Sequence, residues 1–417
     1  MKWPRVPIGD LCLPTETKDP RDEADQPFLY VDIASIDRQL KTIGAFSELV
    51  GAEAPSRARK VIHANDVLVS TVRPNLNAVA IVPRELGGQI ASTGFCVLRP
   101  RPSVLHHKFL FYFAVTPEFV DELSSRVRGA HYPAVSDGDV KKLAIPLPPI
   151  SEQRQIVKIL DQADALRKKR AEADAKAARI LPALFYKMFG DPATNPKGWP
   201  MKALSALGAS VRYGLGQPPT FSPAGVPFIR ATNISRGRIE AQNVLTVDPK
   251  SVPSGRDAFL RVGEVIVVRS GAYTGDVAQV TDRWSGSVIG YDLVVSPGPR
   301  LTGEFLEAYL LSPFIQNGYF ANAKARAGQP HLNAEQLAAT LVLDVPVDLQ
   351  AYFAKCVQTC RGTRDEHLQC ERKLNALFST LLHRAFTGDL TTRWREAHMK
   401  ELLAEMEAQA RILEAVR

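Results

Sequence analysis

The sequence predicts an α+β chain: two similar β-rich globular domains separated by a pair of long antiparallel coiled-coil helices, related by an internal pseudo-twofold repeat. Three observations predict it. A series of short motifs returns in the same order at an offset of about 197 residues. Short β-branched runs bounded by turn residues fill the first part of each copy. A stretch of strong helix formers, almost free of Gly and Pro, fills the second part. The boundaries expected are 1–150 for the first globular domain, 151–195 for its helix, 196–348 for the second domain, 349–391 for its helix and 392–417 for a terminal amphipathic helix.

In chain order, Trp3-Pro4 opens the first copy and Trp199-Pro200 the second. An acidic turn leads into a strand at Asn65–Ser70 and again at Gly263–Val268. Val79–Val82, Phe95–Leu98, Val277–Val280 and Leu293–Val295 read as further strands. Helices are expected at Lys108–Ala114 and Glu304–Leu311, each stopped before a proline, Pro117 or Pro313. The stretches Gly129–Pro148 and Gly328–Pro346 each end in an apolar strand and a proline. Beyond them Ser151-Glu152-Gln153 reads as a helix cap. Apolar residues then recur at 3–4 spacing through Ile156, Leu160, Ala163, Leu166 and Leu184, and in the second copy through Phe353, Val357, Cys360, Leu374, Phe378 and Leu381. A helix of about 35 residues is roughly 50 Å long, and so long a stripe wants a partner helix.

Apolar residues make up 45 % and charged residues 23 % of 417, which excludes a mainly disordered chain. Net charge is +8, spread along the chain, which fits a polyanion partner contacted by folded surfaces. No run is apolar enough to span a bilayer and no secretory signal is evident, so a cytoplasmic, non-membrane protein is expected. Five cysteines are too few and uneven for a disulfide framework. Phosphate-loop, zinc-protease, nucleophile-elbow and dinucleotide motifs are absent, as is the Asn/Asp-Pro-Pro-Tyr signature of adenine methyltransferases. Cys356, Cys360, His367 and Cys370 share one helix face. The outer pair would lie about 21 Å apart, too far to converge on one zinc, so no metal is expected.

Two helix entries, Leu147-Pro148-Pro149-Ile150-Ser151-Glu152-Gln153 and Val345-Pro346-Val347-Asp348-Leu349-Gln350, pair with two exits, Phe189-Gly190-Asp191 and Phe386-Thr387-Gly388-Asp389. This doubled arrangement resembles the specificity subunit of type I restriction–modification systems. The second entry departs from the pattern, with Asp348-Leu349-Gln350 in place of Ser-Glu-Gln. The resemblance implies a non-catalytic chain whose β-rich domains are target-recognition domains, each binding one half of a bipartite, asymmetric double-stranded DNA target. It implies that the helices space the domains and dock two methyltransferase subunits, joined by restriction/translocase subunits. S-adenosylmethionine, ATP and Mg would sit on those partners, with no cofactor on this chain. The alternative is a two-headed protein-interaction adaptor with a helical spacer.

Base readers are expected by chemistry: Arg for guanine, Asn or Gln for adenine, on loops that approach closely. In the first head these are Arg73, Asn75 and Asn77, with Arg126, Arg128, His131 and Tyr132 beside Gly129. In the second they are Arg212, Tyr213, Arg230, Asn233, Arg269 and Tyr273, with Lys324, Arg326, Gln329 and His331. Arg73 with Arg269, and Arg128 with Arg326, are expected at equivalent points of the two copies. Lys158, Arg167, Lys168, Lys169, Arg170, Lys176 and Arg179 are read as a solvated helix face, with phosphate tracking as the rival. The tail from Arg393 is expected to pack on the helices or to dock a modification subunit.

Overall fold

The computed structural model describes residues 3–128, 133–235, 237–321 and 331–416. The chain divides into two compact units, one of Met1–Ala171 with Cys370–Arg417 and one of Glu172–Gln369.

In the first unit, Arg5–Pro7 pairs antiparallel with Ala144–Pro146, closing the start of the head onto its end. Two four-stranded sheets form the body. One runs Cys12–Leu13, Phe95–Pro100, Val67–Ser70, Val79–Ile81; the other runs Ser47–Val50, Pro27–Val31, Ile90–Ser92, Ala58–Val61. The Val67–Ser70 strand is buried throughout, which explains its unbroken apolar run. One face of its sheet packs with the helix His107–Ala114 in a core holding Val67, Val69, Phe109 and Phe113.

The second unit repeats this plan, except that its second sheet has three strands, Leu245–Val247, Phe221–Ile229 and Val288–Ile289. Met201–Ala203 pairs with Leu341–Leu343. A four-stranded sheet runs Ser210–Tyr213, Leu293–Ser296, Val265–Val267, Val277–Gln279. Each unit also contains one parallel pair, Tyr30 with Ile90 and Phe228 with Val288. The doubled motifs therefore encode one topology written twice.

The repeated entry and exit motifs solve the same backbone problems in both units. Gln153 and Gln350 are fully buried. The Gln153 Oε1 accepts from the His106 amide at 2.8 Å, and its Nε2 donates to the Val104 and Pro148 carbonyls at 2.8 and 2.9 Å. Gln350 accepts from Thr302 at 2.9 Å and donates to Arg300 and Val345 at 3.0 and 2.8 Å. Three loop groups that β-pairing leaves orphaned are thus satisfied by one side chain. At the exits Gly190 and Gly388 take φ of +86° and +88°, a conformation that ends a helix cheaply only at glycine. The preceding phenylalanines enter the cores: Phe386 lies 5.0 Å from Phe109, and Phe189 lies 4.9 Å from Phe305.

The stalk helices run antiparallel. In the first unit, Ile156 and Leu160, early in the first stalk helix, share a core with Leu382 and Ala385, late in the second. In the second unit Phe185 and Phe189, at the end of the first, meet Phe353 and Val357 at the start of the second. One expectation changes. The first stalk helix breaks after Ala177 and resumes as Ile180–Phe189. Pro182 has no N–H to donate to the carbonyl four residues back, so a new helix starts just ahead of it. The counterpart has no proline and continues from Val347 to Thr387.

The tail forms two helices, Thr392–Ala397 and Met399–Val416, both on the first unit. Fully buried Glu152 accepts from Arg395 Nε at 2.7 Å, Thr391 Oγ1 at 2.6 Å and Trp3 Nε1 at 3.1 Å. Gln409 donates to the Val104 carbonyl that Gln153 also holds. Among the described residues, no helix is long and apolar enough to cross a membrane.

Candidate nucleic-acid interface

In both units a buried strand, Val67–Ser70 or Val265–Val267, leads into a tight turn. In the first unit this turn is Val72–Asn77 and in the second Ser270–Gly275. The Leu76 amide donates to the Arg73 carbonyl at 2.9 Å, and the Thr274 amide to the Gly271 carbonyl at 3.1 Å. Each turn is braced by the segment after the second head helix: Val135 N donates to Thr71 O, and Leu332 N to Arg269 O. The ladders set the correspondence. Val67 faces Ile81 and Val265 faces Gln279, so Arg269 is the counterpart of Thr71, and Arg73 that of Gly271. The expected equivalence of Arg73 and Arg269 is thereby corrected: similar local sequence is overruled by strand register.

Arg73 and Asn75 are exposed on the first turn, while Pro74 between them is buried and anchors it. Arg73 and Asn77 both adopt left-handed conformations, at φ of +49° and +45°. The Arg73 amide donates to the Pro133 carbonyl at 2.8 Å. Lys41 Nζ donates to the Asn77 carbonyl behind the turn. Burial, then the charges of Arg167 and Arg38, hold the Lys41 amine down at about 8. Arg128 is exposed, its backbone paired with Ala134.

In the second unit Arg269 is clamped from two sides. Its guanidinium carbon stands 4.7 Å from the Tyr213 ring centroid and 4.3 Å from that of Tyr291, and Nη2 lies 2.6 Å from His331 Nε2. Arginine only donates, so Nε2 is the acceptor. The Nε of Arg269 is buried without a partner. The Tyr213 hydroxyl accepts from the Ala334 amide at 3.0 Å, which fixes the ring. Tyr213, Tyr273 and Tyr291 remain exposed. Tyr291 escaped the sequence reading; its only local signal is a Gly-Tyr-Asp sequence just before a strand.

Other expected readers are occupied internally. Both Arg212 terminal nitrogens bind the buried Glu264 carboxylate, at 2.6 and 2.7 Å. Burial pushes the Glu264 carboxyl up, but the bonds from Arg212 and Ser296 outweigh it and hold it below its ordinary value. Its counterpart Asp66 binds Arg99 instead, at 3.0 Å. Both carboxylates also cap their turns, Asp66 on the His63 amide and Glu264 on the Arg261 amide. Arg126 pairs with Glu122 at 2.7 Å and Arg230 donates to the Asn243 carbonyl. Asn233 is 1 % exposed and bonded to the Arg230 amide and Gln242 carbonyl, so it cannot reach a base. On the stalk, Arg167 lies over Phe378 and bonds Asn375, turned toward the other helix. His131, Tyr132, Lys324, Arg326 and Gln329 lie outside the described residues. No group of three side chains able to hold a metal ion occurs among the described residues.

Comparison with known proteins draws the two halves together. Residues 2–174 match the family model of the type I restriction modification DNA specificity domain. The EcoKI specificity subunit of Escherichia coli (strain K12) is 23 % identical over 348 residues, 78 % of this chain and 74 % of the relative. The EcoBI specificity subunit of Escherichia coli is 21 % identical over 343 residues, 75 % and 72 % of the two chains. A chain solved in work on complex assembly and conformational transition of the type I R-M system superposes with a TM-score of 0.57 at 28 % identity, covering 93 % of this chain and 98 % of that one. The S subunit from M. genitalium, at 14 % identity and a TM-score of 0.54, shares the fold over 93 % and 96 % of the two chains. One head-and-stalk unit is written twice, and along 93 % of its length the chain is similar to a solved chain of a type I R-M system, as it is over about three quarters of its length to the curated specificity subunits of type I restriction enzymes.

Proposed function

We propose that each head binds one half of a bipartite, asymmetric double-stranded DNA target, and that the chain thereby directs methyltransferase and restriction subunits to it. The chain's part is recognition; S-adenosylmethionine, ATP and magnesium belong to the partner chains in this reading. Two methyltransferase subunits docking along the stalk fit its doubled construction.

The observation that carries the reading is the pair of equivalent turns bearing different side chains on one topology: Thr71, Arg73 and Asn75 in one head, Arg269, Gly271 and Tyr273 in the other. A symmetric dimer would present identical turns and read a palindrome. A duplicated chain keeps the architecture and frees the two readers to differ. The half-buried Arg269, framed by exposed tyrosines, suits a phosphate oxygen or a guanine edge, both of which accept from a planar guanidinium.

Co-expression with the modification subunits tests this. The expected result is adenine methylation at one split, non-palindromic motif. Absence of sequence-specific methylation, together with salt-insensitive binding to a protein target, would favour the adaptor reading.

A further inference from the structure

We propose that Arg73 is a specificity-determining residue of the first head, reading a guanine in the major groove from a turn whose backbone is held in a disfavoured conformation. The inference rests on the DNA-reading role argued above and adds the residue, the base class and the reason the sequence tolerates the strain.

Both turns need left-handed residues at the same two places. The second head fills them with Gly271 and Gly275, at φ of +82° and +88°. The first uses Arg73 and Asn77. Asparagine tolerates this region comparatively well, whereas a long side chain there is disfavoured. Arg73 also precedes Pro74, and a following proline further restricts its backbone toward extended conformations. Glycine would satisfy the turn more cheaply. In the second head a Cβ at Gly271 would meet nothing within 4 Å, so space is not what selects the residue there. The arginine side chain therefore serves something other than the fold.

That side chain is available. Among the described residues it makes no hydrogen bond or ion pair, and Arg73 is exposed. The backbone beneath it is fixed by the Arg73 amide on Pro133, by the Leu76 amide on Arg73 itself, by buried Pro74 and by Lys41 on Asn77. A guanidinium on so constrained a turn loses little backbone freedom on binding. Its planar donor fork matches the O6 and N7 acceptors of guanine. Asn75, two residues on and equally exposed, occupies the place of Tyr273 in the other head. The second head draws its guanidinium from Arg269 instead, at the position where the first has buried Thr71.

The test uses the full chain assembled with its modification subunits, comparing wild type with Arg73→Gly and Arg73→Lys. For Arg73→Gly the unfolding temperature should hold or rise by a few degrees. The methylated motif should meanwhile become degenerate at one position of one half-site, with a roughly 5- to 150-fold loss of discrimination against the other bases there. Arg73→Lys keeps the charge but not the fork, and should show the same single-position loss. An unchanged motif overturns the proposal. So does a uniform loss on all sequences with a shallower salt dependence, which would make Arg73 a phosphate clamp. A drop in unfolding temperature for Arg73→Gly overturns the strain argument. Failure of the wild-type complex to methylate any defined motif would instead strike the underlying DNA-reading role.

Discussion

Asp292 ties the second head's arginine platform to folding stability. It is 2 % exposed, and its Oδ1 accepts from the Arg269 amide at 3.2 Å. Burial pushes its carboxyl up to about 6, with the Arg269 amide and charge pulling part of the way back. Between an unfolded value near 3.8 and about pH 6, the folded chain keeps a proton that the unfolded chain has lost. Stability therefore falls as pH rises through that window, and the deficit persists above it. Asp292→Asn retains an acceptor for the amide and never ionises. At pH 7.5 its second unit should unfold at a higher temperature than wild type, by an amount on the order of 2 kcal/mol, with the advantage vanishing toward pH 4. Parallel pH profiles for the two proteins would show that the buried carboxylate carries no such penalty. Holding a charged group dry beneath a binding surface is a use of stability that such surfaces commonly make.

Where the first head joins the stalk, the buried carboxylate of Glu152 is instead matched by donors. Glu152 has Leu349 at the corresponding place in the second copy, so the carboxylate is not needed to build a stalk entry. Its work is to hold the tail through Arg395, which also lies over the Trp3 ring at 4.7 Å. Glu152→Leu leaves a buried guanidinium without its counter-charge, held only by the Gly388 carbonyl and the Thr391 hydroxyl, and should destabilise the first unit by about 3–5 kcal/mol. Adding Arg395→Met should recover most of that loss, since a buried pair exchanged for apolar groups is often close to neutral. Thermal unfolding of the two variants, and proteolysis after residue 390, would read the effect; a single variant as stable as wild type would mean the tail is not pinned there. These elements also mark what a sequence discloses. The entry glutamines and exit glycines were legible because each answers a local backbone requirement twice at one spacing. The internal engagement of Arg212 was not legible because its partner, Glu264, lies 52 residues away and nothing near Arg212 announces it. The Arg73 and Arg269 correspondence failed because two similar strings hide a shift that only ladder register reveals.

At the scale of the whole molecule, the two stalk helices pass from one unit to the other. Ile150–Ala177 begins in the first unit, and Val347–Thr387 begins in the second and ends in the first. In the first unit Arg167 bonds Asn375 at 2.8 Å; in the second Asp174 lies 3.6 Å from His367. Residues 168–174 and 368–374 are therefore facing stretches, one heptad long on each strand of the pair. Removing both preserves the 3.5-residue seam, both entry glutamines and both Phe-Gly exits, and shifts helix faces by only about 20°. It shortens the stalk by about 10 Å, or roughly 3 base pairs of DNA. If the stalk sets the span between half-sites, the methylated motif of the deleted protein should keep both half-site sequences and lose about 3 base pairs between them. Sequencing of methylated positions from cells co-expressing the modification subunits reads both quantities at once. A changed half-site would mean that the heads are shaped by the stalk rather than carried by it, and an unchanged spacer would mean that the span is set elsewhere. If the asymmetry of the target belongs to the turns and its spacing to the helices, the two should vary independently.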